Sequence, residues 1–388
     1  MKLCLICSEY PPAPHGGIGP VTRQLATGLV RLGHAVEVVG LYDLPKDAVE
    51  LIDGVTVHRL ARVGHGLWGE LRSRLKLTRY LEQLQRRMCF DLLEAPEWRG
   101  DTAFLKADVP VVLRLHTSHV VDRMVTGSTR PGRLLRYFEN RALCRADRVC
   151  TVSSDIAKKT AEAFPAFGQR MLREEVPVIL NAIELQTFRP ALEPRRKNLL
   201  AFAGSLKPKK GIENLLLAFD LVQQRTACRL ALAGSDTRTI DGESYLEACL
   251  DRISAEGRAR VDVLGRRSRE EIASLFCRAT VVVLPSLQEA CPMVVMEAMA
   301  CGAPIIFGAC GPHAEIIEEG VDGLTCDPRS PADIAKKTLQ LLTDPVQAAR
   351  LGAAARLRAE RDFAEERFLQ QSLDFYVETI SRYGQGRG

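Results

Sequence analysis

Residues 280–306 read TVVVLPSLQEACPMVVMEAMACGAPII. The opening apolar run is a buried strand, and a loop carrying Glu289 follows it. Pro292 is suited to the first turn of a helix, where its missing N–H would have found no partner. Glu297 falls eight residues after Glu289, inside that helix, and a second buried strand begins near Pro304. Met293, Met296 and Met299 are most simply core. The helix start offers N–H groups to a phosphate, with Pro292, Met293 and Val294 forming its first turn, while Glu297 can accept from two ribose hydroxyls. Glu289, nearer the loop tip, can reach a sugar. Packing does not readily explain two carboxylates flanking such a helix start.

The same alternation extends outward in both directions. Strand-like runs fall at 2–7, 35–41, 56–60, 91–94, 111–116, 148–152 and 176–180, and a second series at 199–204, 229–234, 261–265, 280–285 and 304–307. Helical patterns at 21–32, 71–88, 212–223, 270–278 and 292–300 separate them. Val-, Ile- and Leu-rich strands alternating with helices predict parallel sheets covered on both faces. Two series predict two doubly wound Rossmann-like α/β domains, 1–187 and 188–362. The break falls in 181–198, where FRPALEPRRKN is polar and punctuated by proline. Ligands of such sheets bind at the carboxyl ends of the strands, and two such domains face to face would form an interdomain cleft.

Composition narrows the class. At 388 residues, 46% hydrophobic and 26% charged, the chain reads as a globular protein of about two domains. No apolar run is long enough to span a bilayer, and MKLCLICSEYPP reads as a buried first strand instead of a secretion signal. Twelve cysteines are scattered, and the one C-x-x-C pair, Cys4 and Cys7, sits in an apolar run, which fits a reducing cytoplasm better than a zinc site. The net charge of +5 lies wholly in residues 1–187, which hold 26 Lys and Arg against 21 Asp and Glu. An excess of that size suits an anionic small ligand or a membrane surface, and is too sparse for nucleic acid.

Two further loops carry chemistry. SEYPPAPHGGIGPVTRQ, 8–24, joins the first strand to the first long helix. Gly16, Gly17 and Gly19 would let the backbone approach a ligand, although a glycine-rich turn needed for chain geometry explains them equally. The spacing is not G-x-G-x-x-G, which excludes a nicotinamide fingerprint. In AFAGSLKPKKGIENLLLAF, 201–219, Lys209 and Lys210 follow a strand end and can neutralise a diphosphate; a solvated basic turn is the alternative.

With these segments in place, the chain resembles the retaining, nucleotide-sugar-dependent glycosyltransferases of family 4, which have the two-domain GT-B fold. The resemblance rests on the E-x7-E spacing of Glu289 and Glu297 with the following EAMACGAPII, and on GSLKPKKG, HGGIG, GPHAEIIEEGVDGLTCDP, TVSSDIAKK and VILNAIELQTFRP, in the family's order. It implies that Gly17 lies beside the donor diphosphate, that Lys210 binds its phosphates, that Glu297 holds the ribose and Glu289 the transferred sugar. It also implies that His116, closing VVLRLH, is the active-site histidine near the reaction centre, whereas His119 is structural. Three positions depart from the family pattern. Ser205 stands where arginine is common, leaving Lys209 to replace that phosphate contact. The linker reads Asn181-Ala182-Ile183-Glu184, and Pro312 replaces a glycine.

The resemblance further implies hexose transfer from a UDP- or GDP-type donor to a hydroxyl acceptor with retention. No cofactor or metal is implied, and no D-x-D follows a strand. Arg266 and Arg267 would edge the base pocket. The terminal helix, about 363–383, would cross back to the first domain. Acceptors in the family are glycans, lipid-linked sugars or small molecules. The segment LWGELRSRLKLTRYLEQLQRRM, 67–88, could rest on anionic lipid as a peripheral contact at the inner face of the membrane; a surface helix with its leucines in the core is the plain alternative. A sugar-phosphate synthase, a nucleotide-sugar epimerase and a non-catalytic nucleotide-sugar-binding subunit are the competing readings.

Overall fold

The computed structural model describes every residue except 14–15, 127–131, 192–194, 240 and 386–388. His15 of the glycine loop and part of the polar linker therefore lie outside the described residues. The chain divides into two compact units. Unit 1 comprises Met1–Ala182 and Glu365–Gly388, and unit 2 comprises Ile183–Ala364.

Unit 1 is built on β1 (Lys2–Ile6), β2 (Ala35–Tyr42), β3 (Ala48–Ile52), β4 (Val55–Ala61), β5 (Leu92–Pro96), β6 (Val111–Leu115) and β7 (Arg148–Thr151). Their order across the sheet is β3-β4-β2-β1-β5-β6-β7. All pairings are parallel except β3 with β4. The β3–β4 hairpin is absent from the sequence expectation because β3 is mostly exposed and has no apolar run. Its signal is the Asp53-Gly54 turn, where both residues take positive φ (51° and 81°), as a tight hairpin requires. The expected strand at 176–180 is reduced to a single bridge between Thr151 and Val178. Pro177, lacking an N–H, cannot extend that ladder.

Unit 2 carries β8 (Leu199–Ala203), β9 (Arg229–Ala233), β10 (Val261–Gly265), β11 (Val281–Leu284), β12 (Ile305–Gly308) and β13 (Leu324–Cys326) in the order β10-β9-β8-β11-β12-β13, all parallel. β13, three residues long, escapes a periodicity reading. The strand order reverses direction between β8 and β11, and in unit 1 between β1 and β5. Crevices at the carboxyl ends of strands open at such switch points.

The sheets are buried because their strands are apolar. Leu3, Leu5, Val38, Val57, Leu113, Phe202, Leu232, Val283 and Phe307 are each at most 2% exposed. Burial of each such side chain contributes roughly 1.5–3 kcal/mol.

The helix Glu365–Gln385 belongs to unit 1, and a buried polar cluster explains where it docks. Arg114 on β6 forks onto both oxygens of Glu94 on β5, at 2.9 and 3.1 Å. Ser372 accepts from Arg114 at 3.1 Å, and the Tyr376 hydroxyl donates to Glu94 at 2.7 Å. A buried ion pair is tolerated when further hydrogen bonds satisfy its atoms, and the terminal helix supplies two. That helix runs through Gly384, one residue past the expected end at 383.

Candidate active site

Unit 2 places a pocket of about 310 Å³ at the carboxyl ends of β8, β9 and β10. Ala203, Gly204 and Ser205 line it from β8, Ala233, Gly234 and Ser235 from β9, and Arg266 and Arg267 from beyond β10; Ile272, Val294 and Glu297 complete it from two helices. Of the expected donor residues, Ser205, Arg266, Val294 and Glu297 thus share one wall. Gly234 makes the close approach of β8 and β9 possible. At φ 157° a Cβ there would lie 1.7 Å from the Gly204 carbonyl oxygen.

Glu297 projects from the helix Met293–Ala300 into the pocket wall. Burial pushes its carboxyl up to about 7, against the pull of Arg269 and with the charge of Glu184 adding to the rise. Arg269 Nη1 lies 3.3 Å from Glu297 Oε1, and its Nε lies 3.6 Å from Glu184. Arg269 did not feature in the sequence reading, and Glu184 featured only as part of the linker. A usable signal existed: Ser268 and Glu271 form a capping box, which fixes the start of the helix Arg269–Arg278 and so puts Arg269 in its first turn, just beyond β10.

Lys210 and Glu289 meet at the switch point. The loop after β8 forms one short turn, Pro208–Lys210, and ends at Gly211. Gly211 has φ 70°, and a Cβ there would lie 2.0 Å from the Pro285 carbonyl oxygen. The loop therefore packs against the end of β11 and delivers Lys210 to Glu289. Lys210 Nζ donates to Glu289 Oε1 at 2.5 Å, and the Ser286 hydroxyl donates to the same oxygen at 2.7 Å. Sequence reasoning missed Ser286. The ammonium and the carboxylate, 18% and 11% exposed, form a partly desolvated pair at the mouth of the sheet.

Other expected residues stand differently. Lys209 accepts the Leu287 N–H on its carbonyl at 2.9 Å and does not line the pocket. Pro292 is the N-cap of Met293–Ala300 and not its first residue, and Met293 is half-buried, whereas Met296 and Met299 are core.

In unit 1, Gly17 caps α1 (Ile18–Arg31) with a right-handed helical φ of −82°, and a Cβ there would meet open space. The helix start expected to face an external anion faces an internal one: Glu9 accepts from the Gly16 N–H at 3.1 Å and the Gly19 N–H at 2.7 Å. His116 follows β6, and its N–H donates to both oxygens of buried Glu97, each at 2.9 Å. Burial, with Arg114 adding, pushes the His116 imidazole down to about 3, which keeps it neutral. Burial also pushes Glu97 up to about 8. His119 packs edge-on to Trp98, 5.2 Å between centroids, and its N–H donates to Glu139 at 2.8 Å. Among the described residues no group of three or more His, Cys, Asp or Glu could hold a metal ion.

Residues 185–358 match the family described as glycosyl transferases group 1, and residues 16–172 match a glycosyl transferase 4-like domain. The chain is a glycosyltransferase, its two halves matching these two glycosyltransferase domains. The enzyme is 28% identical over 375 residues to an uncharacterized glycosyltransferase of Methanocaldococcus jannaschii, covering 89% of this chain and 90% of the other. It is 27% identical over 397 residues to the D-inositol 3-phosphate glycosyltransferase of Pseudarthrobacter chlorophenolicus, covering 95% and 91%. The glycosyltransferase superposes on sucrose-phosphate synthase of Thermosynechococcus elongatus with a TM-score of 0.80, 22% identity and coverage of 98% and 99%. The Anabaena protein HepE in complex with UDP-glucose gives 0.72, 19% identity and coverage of 98% and 100%. The fold is GT-B, with two Rossmann-like domains.

Proposed function

We propose that this enzyme is a retaining family 4 glycosyltransferase that moves a hexose from a nucleoside diphosphate donor to a hydroxyl acceptor without a metal ion. The observation that carries the reading is the pairing of Lys210 with Glu289 at the carboxyl ends of β8 and β11, in the same unit as the pocket that holds Glu297. In the donor complex Glu297 accepts from the ribose hydroxyls. Lys210 exchanges Glu289 for the phosphates, and Glu289 turns to the hydroxyls of the sugar. As the anomeric bond breaks, negative charge collects on the leaving diphosphate, where the Lys210 ammonium stabilises it. Retention follows if the acceptor hydroxyl attacks from the leaving-group side and the departing phosphate takes its proton.

The HepE complexes with UDP and with UDP-glucose support a UDP-type donor, and GDP remains in the test. A sugar phosphate as acceptor is the second reading, favoured by the 24% identity to an alpha-maltose-1-phosphate synthase of Mycobacterium tuberculosis. The twelve free cysteines support a reducing, cytoplasmic setting. A thermal-shift screen of UDP, GDP, ADP and TDP, followed by product analysis with the stabilising donor against water, sugar phosphates and glycans, tests the proposal. A raised midpoint with one nucleotide and a glycosylated product with retained configuration are expected. Binding without turnover on any acceptor would sink the catalytic reading.

A further inference from the structure

The helix α2 (Gly66–Met88) has one face in the core and one that is exposed. Its buried face consists of Gly69, Ser73, Arg74, Leu77, Thr78, Leu81 and Leu84. Arg74, 1% exposed, lies over the Phe138 ring and pairs with Glu70, so the helix is anchored from within. The opposite face carries Trp68, Arg72, Leu75, Arg79 and Arg86. Spacings of 4, 3, 4 and 7 residues put these five within about 40° of one line along the helix. The line runs about 27 Å from Trp68 to Arg86.

Trp68 is 74% exposed and Leu67 beside it 69%; Leu75 is 36% exposed. Arg87 flanks the basic end and is also exposed. Among the described residues none of these four arginines forms an ion pair. The acids of the helix offset them only in part, because Glu70 is held by Arg74 and Arg99, and the half-buried Glu82 is one carboxylate against four arginines. No helix among the described residues is long and apolar enough to cross a membrane.

We infer that this face of α2 docks on an anionic lipid surface. Charge complementarity names the occupant, and the apolar residues on the same line discriminate among anions. A soluble polyanion would satisfy the arginines but would leave Trp68, Leu67 and Leu75 in water. A lipid interface takes both: the indole and leucines enter the headgroup boundary, while the guanidinium groups stay among the phosphates. Two signals of this kind make peripheral binding stable where either alone is marginal. Four residues separate α2 from the end of β4, so its apolar end lies at the carboxyl edge of the unit 1 sheet, the edge at which parallel sheets receive ligands.

The test is co-sedimentation of the whole protein with phosphatidylcholine vesicles, with and without phosphatidylglycerol, across a salt series. Binding is expected on the anionic vesicles only, and it should weaken steeply as salt shortens the screening length from about 10 Å at 0.1 M to about 3 Å at 1 M. Each basic side chain near such a surface contributes about fivefold, so Arg79→Ala/Arg86→Ala should weaken binding about 25-fold. Trp68→Ser, exposed and remote from the core, should weaken it several-fold, while retention on heparin beads stays unchanged. Absence of binding at low salt, equal binding to neutral vesicles, or an unchanged double variant would overturn the inference. Vesicle binding by Trp68→Ser equal to the parent would assign the face to a soluble polyanion and overturn it too. None of these readouts uses a sugar donor, so failure here leaves the donor site untouched, and the reverse holds.

Discussion

At the scale of single residues, the pairing of Lys210 with Glu289 is what donor binding at the proposed site would have to undo. Their 2.5 Å contact neutralises an ammonium that the diphosphate would otherwise claim. Lys210→Ala removes the cation and leaves Glu289 accepting from the Ser286 hydroxyl. Loss of one such donor to the developing charge is expected to lower kcat by about 3 kcal/mol, on the order of a hundredfold, in an assay of donor turnover. Near-parental rates would remove Lys210 from the site.

Glu297 makes a pH prediction of definite sign. Burial holds its carboxyl near 7, and in the proposed donor complex it is the ionised form that accepts from the ribose hydroxyls. Donor affinity should therefore rise between pH 6 and pH 8, by up to about tenfold if only the ionised form binds. Glu297→Gln should flatten the profile, as measured by titration calorimetry. Folding responds oppositely, since a raised carboxyl pKa stabilises the protonated native state and that contribution fades as pH climbs through 7. The carboxylates and Lys210 were legible in the sequence because local spacing marked them. Ser286 and Arg269 were not, because what matters about them is the group each meets. Nor was Glu9: a carboxylate folding back onto its own helix start looks, in sequence, like any surface acid.

At the scale of elements, the turns decide where the chemistry goes. Gly211 joins a positive φ to backbone contact with Pro285, so two independent penalties meet any Cβ there. Gly211→Ala is expected to destabilise unit 2 by more than about 1 kcal/mol and to displace Lys210. A lower urea midpoint together with a reduced kcat is the expected result. A lower midpoint with unchanged kcat would mean that the turn does not aim the lysine. The strands and helices that bury an apolar face were readable from periodicity, and their order followed. β3 and β13 were not, one being exposed and the other too short to show a period. The segment at 176–180 has the apolar residues of a strand but a proline where the ladder needs a donor.

At the scale of the molecule, the chain threads out of unit 1, builds unit 2 and returns. Unit 2 is therefore one continuous stretch, 183–364, with its own sheet and core, while unit 1 needs both ends of the chain. The return is not decorative. Phe368, Leu369, Phe375 and Tyr376 of the terminal helix are at most 5% exposed, and at about 2 kcal/mol each their burial rivals the net stability of a domain. Every residue lining the unit 2 pocket, and both members of the Lys210–Glu289 pair, lie inside 183–364. That fragment should fold alone and bind the same nucleoside diphosphate as the whole chain. At a ligand concentration 100 times Kd the stabilisation is about 2.7 kcal/mol, enough to move a thermal midpoint by several degrees. The complementary truncation after Ala364 should leave unit 1 unfolded by limited proteolysis and unit 2 protected. If the whole chain responds to a nucleotide and a folded 183–364 fragment does not, nucleotide binding draws on residues outside unit 2, and the assignment of the donor site to that unit alone falls.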